Sequence, residues 1–290
     1  MTHPHADGAY AAALAFAGRP VAVGAWESFV LAREIAAGGE DGIGLYPRAV
    51  IAPDADIGAG LDALAAAGLV SVVLVADPMA SPAPERLAAA FGLCRPFKTH
   101  QIIERARGYA PSKHHRYEIK RAAGRCRVER VALAAHLDDW RALYDGLTER
   151  HTIAGMAAFS DSYFKALADW PVFVTFAAFV DGAVAAMAIW FEHGGVAYNH
   201  LGASSTAGYA NGASYALYDA AVAHFSGAAV LDLGAGAGMA DDPEDGLARF
   251  KRGFANGTAV AHLCGAVLDA GRYAALVAGR AETGFFPGYR

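Results

Sequence analysis

The sequence contains little cysteine and little charge. Only three cysteines, Cys94, Cys126 and Cys264, occur in 290 residues, and none of them has the paired spacing of a zinc site or a disulfide framework. Isolated thiols of this kind are typical of a reducing compartment. Charged residues make up 18% of the chain and hydrophobic residues 55%. This balance predicts a large buried core and excludes a disordered chain.

Long apolar runs are also absent. No stretch reaches the roughly 18–20 uninterrupted apolar residues that cross a bilayer. The first residues, Met-Thr-His-Pro-His, lack the basic start and apolar run of a signal peptide. We therefore expect a cytoplasmic protein without a membrane span. The net charge of −5 argues against general coating of nucleic acid, but it leaves a local basic patch open.

One stretch, Val230–Phe254, carries most of the chemical information. It consists of an apolar strand, a glycine-rich bend, an acidic loop and the run Gly-Leu-Ala-Arg-Phe-Lys-Arg-Gly-Phe. The bend alone is typical of a loop that binds S-adenosylmethionine, where glycines allow close approach to the ligand. Such a loop follows the first strand of a doubly wound sheet, yet only 52 residues follow Gly238. A methyltransferase is therefore disfavoured.

The whole stretch resembles the FemABX-like branch of the GCN5-related N-acyltransferase (GNAT) superfamily. The resemblance rests on the strand ending Leu-Asp-Leu-Gly, the acidic loop and the Gly-Leu-x-x-Phe-Lys-x-Gly-Phe pattern. A predicted basic helix with Arg116, Ile119, Ala122 and Gly124 is similar to one at the entry to the second domain of Fem-like proteins. The resemblance implies an α/β fold of tandem GNAT-like domains, each with a mixed central sheet flanked by helices. We expect a degenerate domain at residues 1–110 and an acyltransferase domain at 111–290.

The order of predicted elements in the second half agrees with this fold. Hairpin turns at Asp181-Gly182 and His193-Gly194 predict an antiparallel three-strand meander. The predicted elements are helices Leu137–Arg150 and Ser160–Ala168, strands Val172–Val180, Ala183–Glu192 and Gly195–Ala203, a loop Ser204–Gly212, a helix Ala213–Phe225, and strands Val230–Leu233 and Thr258–Cys264.

The resemblance implies that Lys251 lies near the acyl ester and stabilises developing negative charge. We expect it on a stiff, partly buried strand, where it would need little reorganisation. Phe250 would flank the channel that leads to the acyl ester, and Arg249 or Arg252 would contact a phosphate of the donor. A solvated, non-catalytic edge is the alternative for these residues. His200 is a candidate catalytic base, although a lone strand histidine is more often structural.

A predicted helix begins at Asn211, Gly212 and Ser214. The start of a helix suits an anion, because its free backbone N–H groups and its partial positive charge attract negative charge. These residues are the predicted donor site, although the Arg or Gln that usually precedes this loop in acyltransferases is missing. An ordinary helix cap is the alternative.

Predicted substrate-binding residues are Arg116, Lys120, Tyr198 and Asp232. A tRNA donor predicts a basic track through Lys113, Arg116, Lys120 and Arg252, whereas an acyl-CoA donor predicts dependence on residues 208–214.

The sequence thus predicts an N-acyltransferase that moves an acyl or aminoacyl group to a small-molecule or peptide amine, without a covalent intermediate. The donor is aminoacyl-tRNA or acyl-CoA, used as a co-substrate, with no tightly bound cofactor. No metal is expected, because His114-His115 and His3/His5 lack matched ligand spacing. A non-catalytic binding module that keeps the fold is the alternative.

Overall fold

The computed structural model describes residues 2–281 and 284–290. Within them the chain forms ten α-helices and eleven β-strands. The helices are α1 (Gly8–Ala13), α2 (Ile57–Ala66), α3 (Pro84–Ala90), α4 (Lys113–Ala123), α5 (Leu137–His151), α6 (Asp161–Asp169), α7 (Thr206–Asn211), α8 (Ala213–His224), α9 (Gly246–Arg252) and α10 (Ala270–Val277). The strands are β1 (Arg19–Val23), β2 (Ser28–Glu34), β3 (Glu40–Gly44), β4 (Leu69–Ala76), β5 (Leu93–Glu104), β6 (Arg127–Val131), β7 (Phe173–Val180), β8 (Ala183–His193), β9 (Val196–Ser204), β10 (Val230–Asp232) and β11 (Gly257–Val267).

One compact unit comprises residues up to 97 together with residues from 260 onward. Its strands follow the order β1-β2-β3-β4-β11, with β3 parallel to β4 and the other neighbours antiparallel. Trp26 is buried in its core and donates its indole N–H to the carbonyl of Ile57 at 3.1 Å. The Sγ atoms of the free thiols Cys94 and Cys264 lie 3.8 Å apart, a proximity that their sequence spacing does not indicate.

The other unit comprises residues 98–259. Its strands follow the order β5-β10-β9-β8-β7-β6. The meander β7-β8-β9 is antiparallel as predicted, β9 is parallel to β10, and β10 is antiparallel to β5. Helix α8 packs on one face of this sheet, where Leu217 and Phe225 join Trp190 of β8 in a buried cluster. Alternate strand residues supply this face, as expected for a sheet between helices.

Both units contain the same succession of strand pairs. An antiparallel ladder leads to one parallel pair and then to an antiparallel neighbour, in β1-β2-β3-β4-β11 and again in β7-β8-β9-β10-β5. The predicted mixed α/β class is confirmed. The tandem arrangement stays a prediction that this repeated order supports. The compact units meet in the chain at residues 97/98 and 259/260, whereas the predicted domain boundary follows residue 110. The last residues belong with the first unit because His262–Val267 of β11 pair with β4.

Two short segments differ from the sequence-based expectation. The predicted loop before α8 contains α7, which begins where the Ser205 hydroxyl accepts the N–H of Gly208 at 3.1 Å. The predicted strand around Lys251 is wrong, because this segment is helix α9. Asp245 caps α9 by accepting the N–H of Ala248 at 3.0 Å. Helices α4, α5, α6 and α8 and strands β7–β11 otherwise lie where the sequence predicted them.

Among the described residues, no helix combines the length and the apolar character that a membrane crossing requires.

Candidate active site

Strands β9 and β10 separate after only three residue pairs. The last pair joins Asp232 to Tyr198, whereas β9 continues to Ser204. Beyond Asp232 the chain follows β5 instead, because Leu233 donates its N–H to Gln101 and Gln101 donates its own to Gly234. An opening therefore lies beside the second half of β9. We call it the strand opening.

A β-bulge lies in β9 where the strand opening begins. Trp190 of β8 pairs with Asn199, and the preceding residue Ile189 pairs with Leu201, so His200 is the extra residue of β9. A bulge leaves a residue outside the regular ladder and redirects its side chain, and bulges are frequent beside active sites. The predicted candidate His200 thus occupies a special backbone position.

His200 and Tyr198 lie on the same side of β9, as alternation predicted. Both rings contact Phe191, on which Tyr198 stacks with a centroid distance of 4.8 Å. Nε2 of His200 lies 2.6 Å from the hydroxyl of Tyr163 in α6. His200 therefore already has a strong hydrogen-bond partner on the side of the sheet that α6 covers.

Helix α8 begins at the far end of β9. Gly212 precedes it with a φ of 73°, a left-handed conformation that glycine adopts without strain. Ser214 contacts Ser204, the last residue of β9, with 3.1 Å between the hydroxyl oxygens. No side chain of the described residues caps this helix start, so its first N–H groups and the helix dipole suit an anion. The third predicted donor residue, Asn211, instead turns its amide back to the carbonyl of Ala207.

Tyr218 of α8 reaches the point where β9 and β10 separate. Its hydroxyl donates to Oδ1 of Asn199 at 3.0 Å, and Asn199 is the first residue of β9 after the last pair with β10. Nδ2 of Asn199 is buried and has no hydrogen-bond partner among the described residues. Burial, followed by the nearby Asp232 carboxylate, raises the pKa of Tyr218 far above its ordinary range. Tyr218 therefore stays protonated at neutral pH and can act as a proton donor.

Asp232 has a partner that the sequence analysis missed. Nδ1 of His100 in β5 lies 3.0 Å from both carboxylate oxygens, and both side chains are buried. Asp232 also accepts the N–H of Gly234 at 2.8 Å. The sequence signal for His100 is its place in the alternating run Phe97–Ala106, a pattern typical of a strand. Nothing in the sequence placed that strand beside β10.

Lys251 lies beneath the glycine-rich bend that follows β10. Its side chain is only 7% exposed, and Nζ donates to the carbonyl of Ala235 at 2.7 Å. A Cβ added at Gly234 would lie 3.0 Å from Nζ, so the glycine leaves room for the ammonium group. Asp232 and Lys251 thus contact consecutive residues of one short bend, Gly234 and Ala235.

Phe250 lies in a cluster of rings contributed by α4, α8 and the end of α9. Its centroid is 4.9 Å from Tyr218, 5.0 Å from Tyr215 and 5.4 Å from Phe254. His115 of α4 completes this ring cluster, with Nε2 2.8 Å from the carbonyl oxygen of Phe250. Burial is the main cause that lowers the pKa of His115, so the ring is neutral and can donate to that carbonyl.

The predicted basic residues are exposed. Arg116 donates to the carbonyl of Pro111 at 2.5 Å, and Arg252 donates to that of Pro243 at 3.0 Å.

Seven exposed cations follow one another along α4 and β6, and we call them the basic surface: Lys113, Arg116, Lys120, Arg121, Arg125, Arg127 and Arg130. Glu118 pairs with Arg121 and Glu129 with Arg127, which leaves most of the surface positive. Helix α4 contacts the start of α8 through His115 and Tyr215, whose ring centroids are 5.0 Å apart.

The acidic loop after the bend is held by β5. Asp241 accepts both the backbone N–H and the hydroxyl of Thr99, and buried Lys98 donates to the carbonyls of Ala237 and Ala240. Burial raises the pKa of Asp241, but the hydrogen bonds from Thr99 outweigh it and the net pKa is lowered. No group of three or more His, Cys, Asp or Glu side chains among the described residues is arranged to hold a metal ion.

Residues 112–252 match the family model of the acetyltransferase (GNAT) domain. The crystal structure of FemX has a TM-score of 0.62 at 15% identity, and the match covers 94% of this chain and 95% of that one. The C-terminal domain of a putative lysylphosphatidylglycerol synthetase from Agrobacterium fabrum has a TM-score of 0.58 at 16% identity, covering 86% of this chain and 82% of that one.

L-PGS from Bacillus licheniformis has a TM-score of 0.57 at 14% identity, with 94% of each chain covered. No curated protein is significantly similar in sequence. At these identities the structures show a shared fold, and the resemblance to the Fem-like branch of the GNAT superfamily is confirmed at that level.

Proposed function

We propose that this chain, which carries a GNAT acyltransferase domain, transfers an acyl or aminoacyl group from an activated donor to an amine. The separation of β9 and β10 beside the start of α8 is the observation that carries the proposal. An acyl chain in the strand opening would place its carbonyl beside the bulge at His200. A donor phosphate would meet the N–H groups that begin α8.

The reaction joins the amine nitrogen to the donor carbonyl carbon and breaks the bond from that carbon to the leaving oxygen or sulfur. Negative charge develops on the carbonyl oxygen, and a buried ammonium such as Lys251 stabilises it with little reorganisation. Tyr218, which stays protonated, is placed to give its proton to the leaving atom. Asn199 holds the Tyr218 hydroxyl at the edge of the strand opening.

The basic surface favours aminoacyl-tRNA over acyl-CoA as the donor. Its cations are exposed on α4, the helix that contacts the start of α8. The helix start itself carries no Arg or Gln before Gly212, the residue that an acyl-CoA site usually supplies. One structure of similar fold is the C-terminal domain of a protein named as a putative lysylphosphatidylglycerol synthetase, a name that refers to a lysyl group.

The direct test compares transfer from a mixed pool of radiolabelled aminoacyl-tRNA with transfer from acetyl-CoA. Hydroxylamine and a panel of small amines serve as acceptors. We expect amide or hydroxamate product from the aminoacyl-tRNA pool at a rate above the spontaneous aminolysis measured without protein. Lys251→Met should lower kcat about 10²–10³-fold, as for the loss of one oxyanion donor. Lys165→Met, at an exposed lysine of α6, is the matched control and should retain the wild-type rate.

Product from acetyl-CoA alone would contradict the tRNA donor and keep the acyltransferase. Saturable binding of either donor without any product would favour the non-catalytic binding module.

The basic surface has a separate test. The double variant Lys113→Glu/Lys120→Glu should weaken tRNA binding and flatten its dependence on salt, because fewer phosphate counterions are released. Lys165→Glu makes a charge reversal away from this surface and should leave the salt dependence unchanged. An equal effect of both variants would show that tRNA does not follow α4.

A further inference from the structure

We propose that His100 is the general base that removes the proton from the attacking amine, with Asp232 holding its ring in position. This assignment rests on the proposed acyl transfer. The sequence contained no evident base, and the candidate His200 has its Nε2 hydrogen-bonded to Tyr163. Only the pairing of β5 with β10 brings His100 beside Asp232.

The contact with Asp232 fixes which nitrogen of His100 can accept a proton. Nδ1 lies 3.0 Å from both carboxylate oxygens, and Asp232 is fully buried. A neutral histidine that donates its Nδ1 proton to a carboxylate carries its lone pair on Nε2. The same carboxylate stabilises the positive ring that forms after proton uptake, as in other histidines oriented by an aspartate.

The strand register places His100 on the side of the sheet that an acceptor would use. Asp232 pairs with Ile102, and side chains alternate along β5, so His100 and Asp232 share one face. The neighbouring residues Leu231 and Ile103 point to the opposite face, where they pack in the cluster around α8. A donor bound at the start of α8 therefore leaves the face of His100 for the amine.

Tyr198 links this face to the strand opening. It is the β9 partner of Asp232 and lies on the same side of the sheet. The bulge residue His200 follows two positions later, near the expected place of the donor carbonyl. An amine that approaches this carbonyl from the His100 face meets it from the side opposite to α8.

Charged groups surround His100 from each neighbouring element. Asp232 lies on β10, Asp241 lies on the acidic loop, and buried Lys98 lies two residues earlier on β5. Tyr218 of α8 belongs to the cluster with Leu231 and Ile103 and is close enough to Asp232 for this carboxylate to raise its pKa. The two carboxylates favour a transient positive charge on His100, whereas Lys98 opposes it and is itself bonded to two carbonyls of the loop.

The proposed step is balanced in atoms and charge. The amine nitrogen forms a bond to the carbonyl carbon, and Nε2 of His100 takes one proton from that nitrogen. The carbon then releases the leaving oxygen or sulfur with its electron pair, and that atom receives a proton from Tyr218. Transfer of the proton from His100 back to Tyr218 through solvent restores both groups.

His100→Asn is the decisive variant. The asparagine amide can still donate to Asp232, but it has no group in place of Nε2. We expect kcat/KM to fall about 10²–10⁴-fold with an unchanged melting temperature, the range for loss of a general base. His136→Asn is the matched control. Nδ1 of His136 lies 2.9 Å from a carboxylate oxygen of Asp139, and this pair is at the exposed start of α5.

The pH profile separates a base from a structural residue. Hydroxylamine titrates in the same pH range as an ordinary histidine, so each rate is divided by the fraction of neutral hydroxylamine. The corrected wild-type kcat/KM should still rise with pH through one group and then level off. His100→Asn should lose this rise, and His136→Asn should keep it. A His100→Asn enzyme with the rate and profile of His136→Asn would overturn the assignment and leave the proposed acyl transfer intact. Failure of the wild-type protein to transfer any acyl group would overturn both.

A measurement on the wild-type protein covers the case in which His100→Asn does not fold. Diethyl pyrocarbonate modifies neutral histidine rings, and mass spectrometry reports which histidines have reacted. Loss of transfer should follow modification of His100 and reverse when hydroxylamine removes the adduct. Transfer that survives full modification of His100 would refute the proposal.

Discussion

Replacement of Gly253 by alanine tests why the Phe-Lys-x-Gly-Phe pattern contains a glycine. Gly253 has φ −68° and ψ −19°, a conformation open to any residue, so alanine introduces no backbone strain. The obstacle is the His115 ring, because an added Cβ would lie 1.9 Å from its Cε1 and 2.3 Å from both ring nitrogens. To reach ordinary contact at 3.4 Å the ring must withdraw by about 1.5 Å.

That withdrawal has a cost that the contacts of His115 define. The ring is hydrogen-bonded to Ser112 at 3.0 Å and to the carbonyl of Phe250 at 2.8 Å, and it packs against Phe254 with centroids 4.7 Å apart. Two weakened hydrogen bonds cost about 0.5–1.5 kcal/mol each, and overpacking of a core about 1–3 kcal/mol. With partial relaxation of the ring, we expect Gly253→Ala to lower the free energy of unfolding by about 2–4 kcal/mol.

Guanidinium unfolding followed by tryptophan fluorescence is a suitable assay, because three of the four tryptophans, Trp140, Trp170 and Trp190, lie in the unit of residues 98–259. Gly246→Ala is the matched control. A Cβ at Gly246, the first residue of the same helix, meets nothing within 4 Å, so this change should be neutral or stabilise by up to about 1 kcal/mol.

A double-variant cycle isolates the cause. In a His115→Ala background the obstructing ring is gone, and Gly253→Ala should then cost less than about 0.5 kcal/mol. An equal cost in both backgrounds, or a Gly253→Ala protein as stable as Gly246→Ala, would refute the reasoning.

Three further predictions follow from single contacts. Burial lowers the pKa of His115, so its contribution to stability is present above the ordinary histidine pKa of about 6.5 and is lost as pH falls below it. The free energy of urea unfolding should therefore drop between about pH 7.5 and about pH 5.5, and it should drop less in His115→Gln. An equal drop in both proteins would contradict the assignment. The raised pKa of Tyr218 predicts that Tyr218→Phe leaves the absorbance change of tyrosine ionisation near pH 10 unaltered, and a change of one full tyrosine would be the opposite result. Gly208→Ala places a Cβ 2.3 Å from the carbonyl oxygen of Ala185, so we expect a loss of about 1–3 kcal/mol in guanidinium unfolding, and a neutral variant would show that α7 does not depend on this close approach.

The sequence was sufficient for the elements with strong local signals. The hairpin turns define the meander, and the motif after β10 carries the family resemblance. The two wrong segments are short helices of six and seven residues that contain or begin with glycine. Their caps, Ser205 and Asp245, are the local signals that could have indicated them.

Long-range pairing limited the prediction of the site. His100 and Asp232 are 132 residues apart in sequence, and alternation defines the face of a strand but not its neighbour. The same limit applies to β11, whose pairing with β4 changed the expected domain boundary. The role of Gly253 likewise depends on a ring in α4, which the motif itself does not contain.

Hydrogen exchange with and without a bound donor analogue tests the central claim most directly. The probe is an amide-linked, non-hydrolysable aminoacyl-tRNA, with the uncharged tRNA as control. Bound analogue should slow exchange of the backbone N–H groups in residues 199–202 around the bulge and in residues 212–215 at the start of α8, more than uncharged tRNA does. Slowed exchange confined to other segments, with residues 199–202 and 212–215 unchanged, would contradict a donor site in the strand opening.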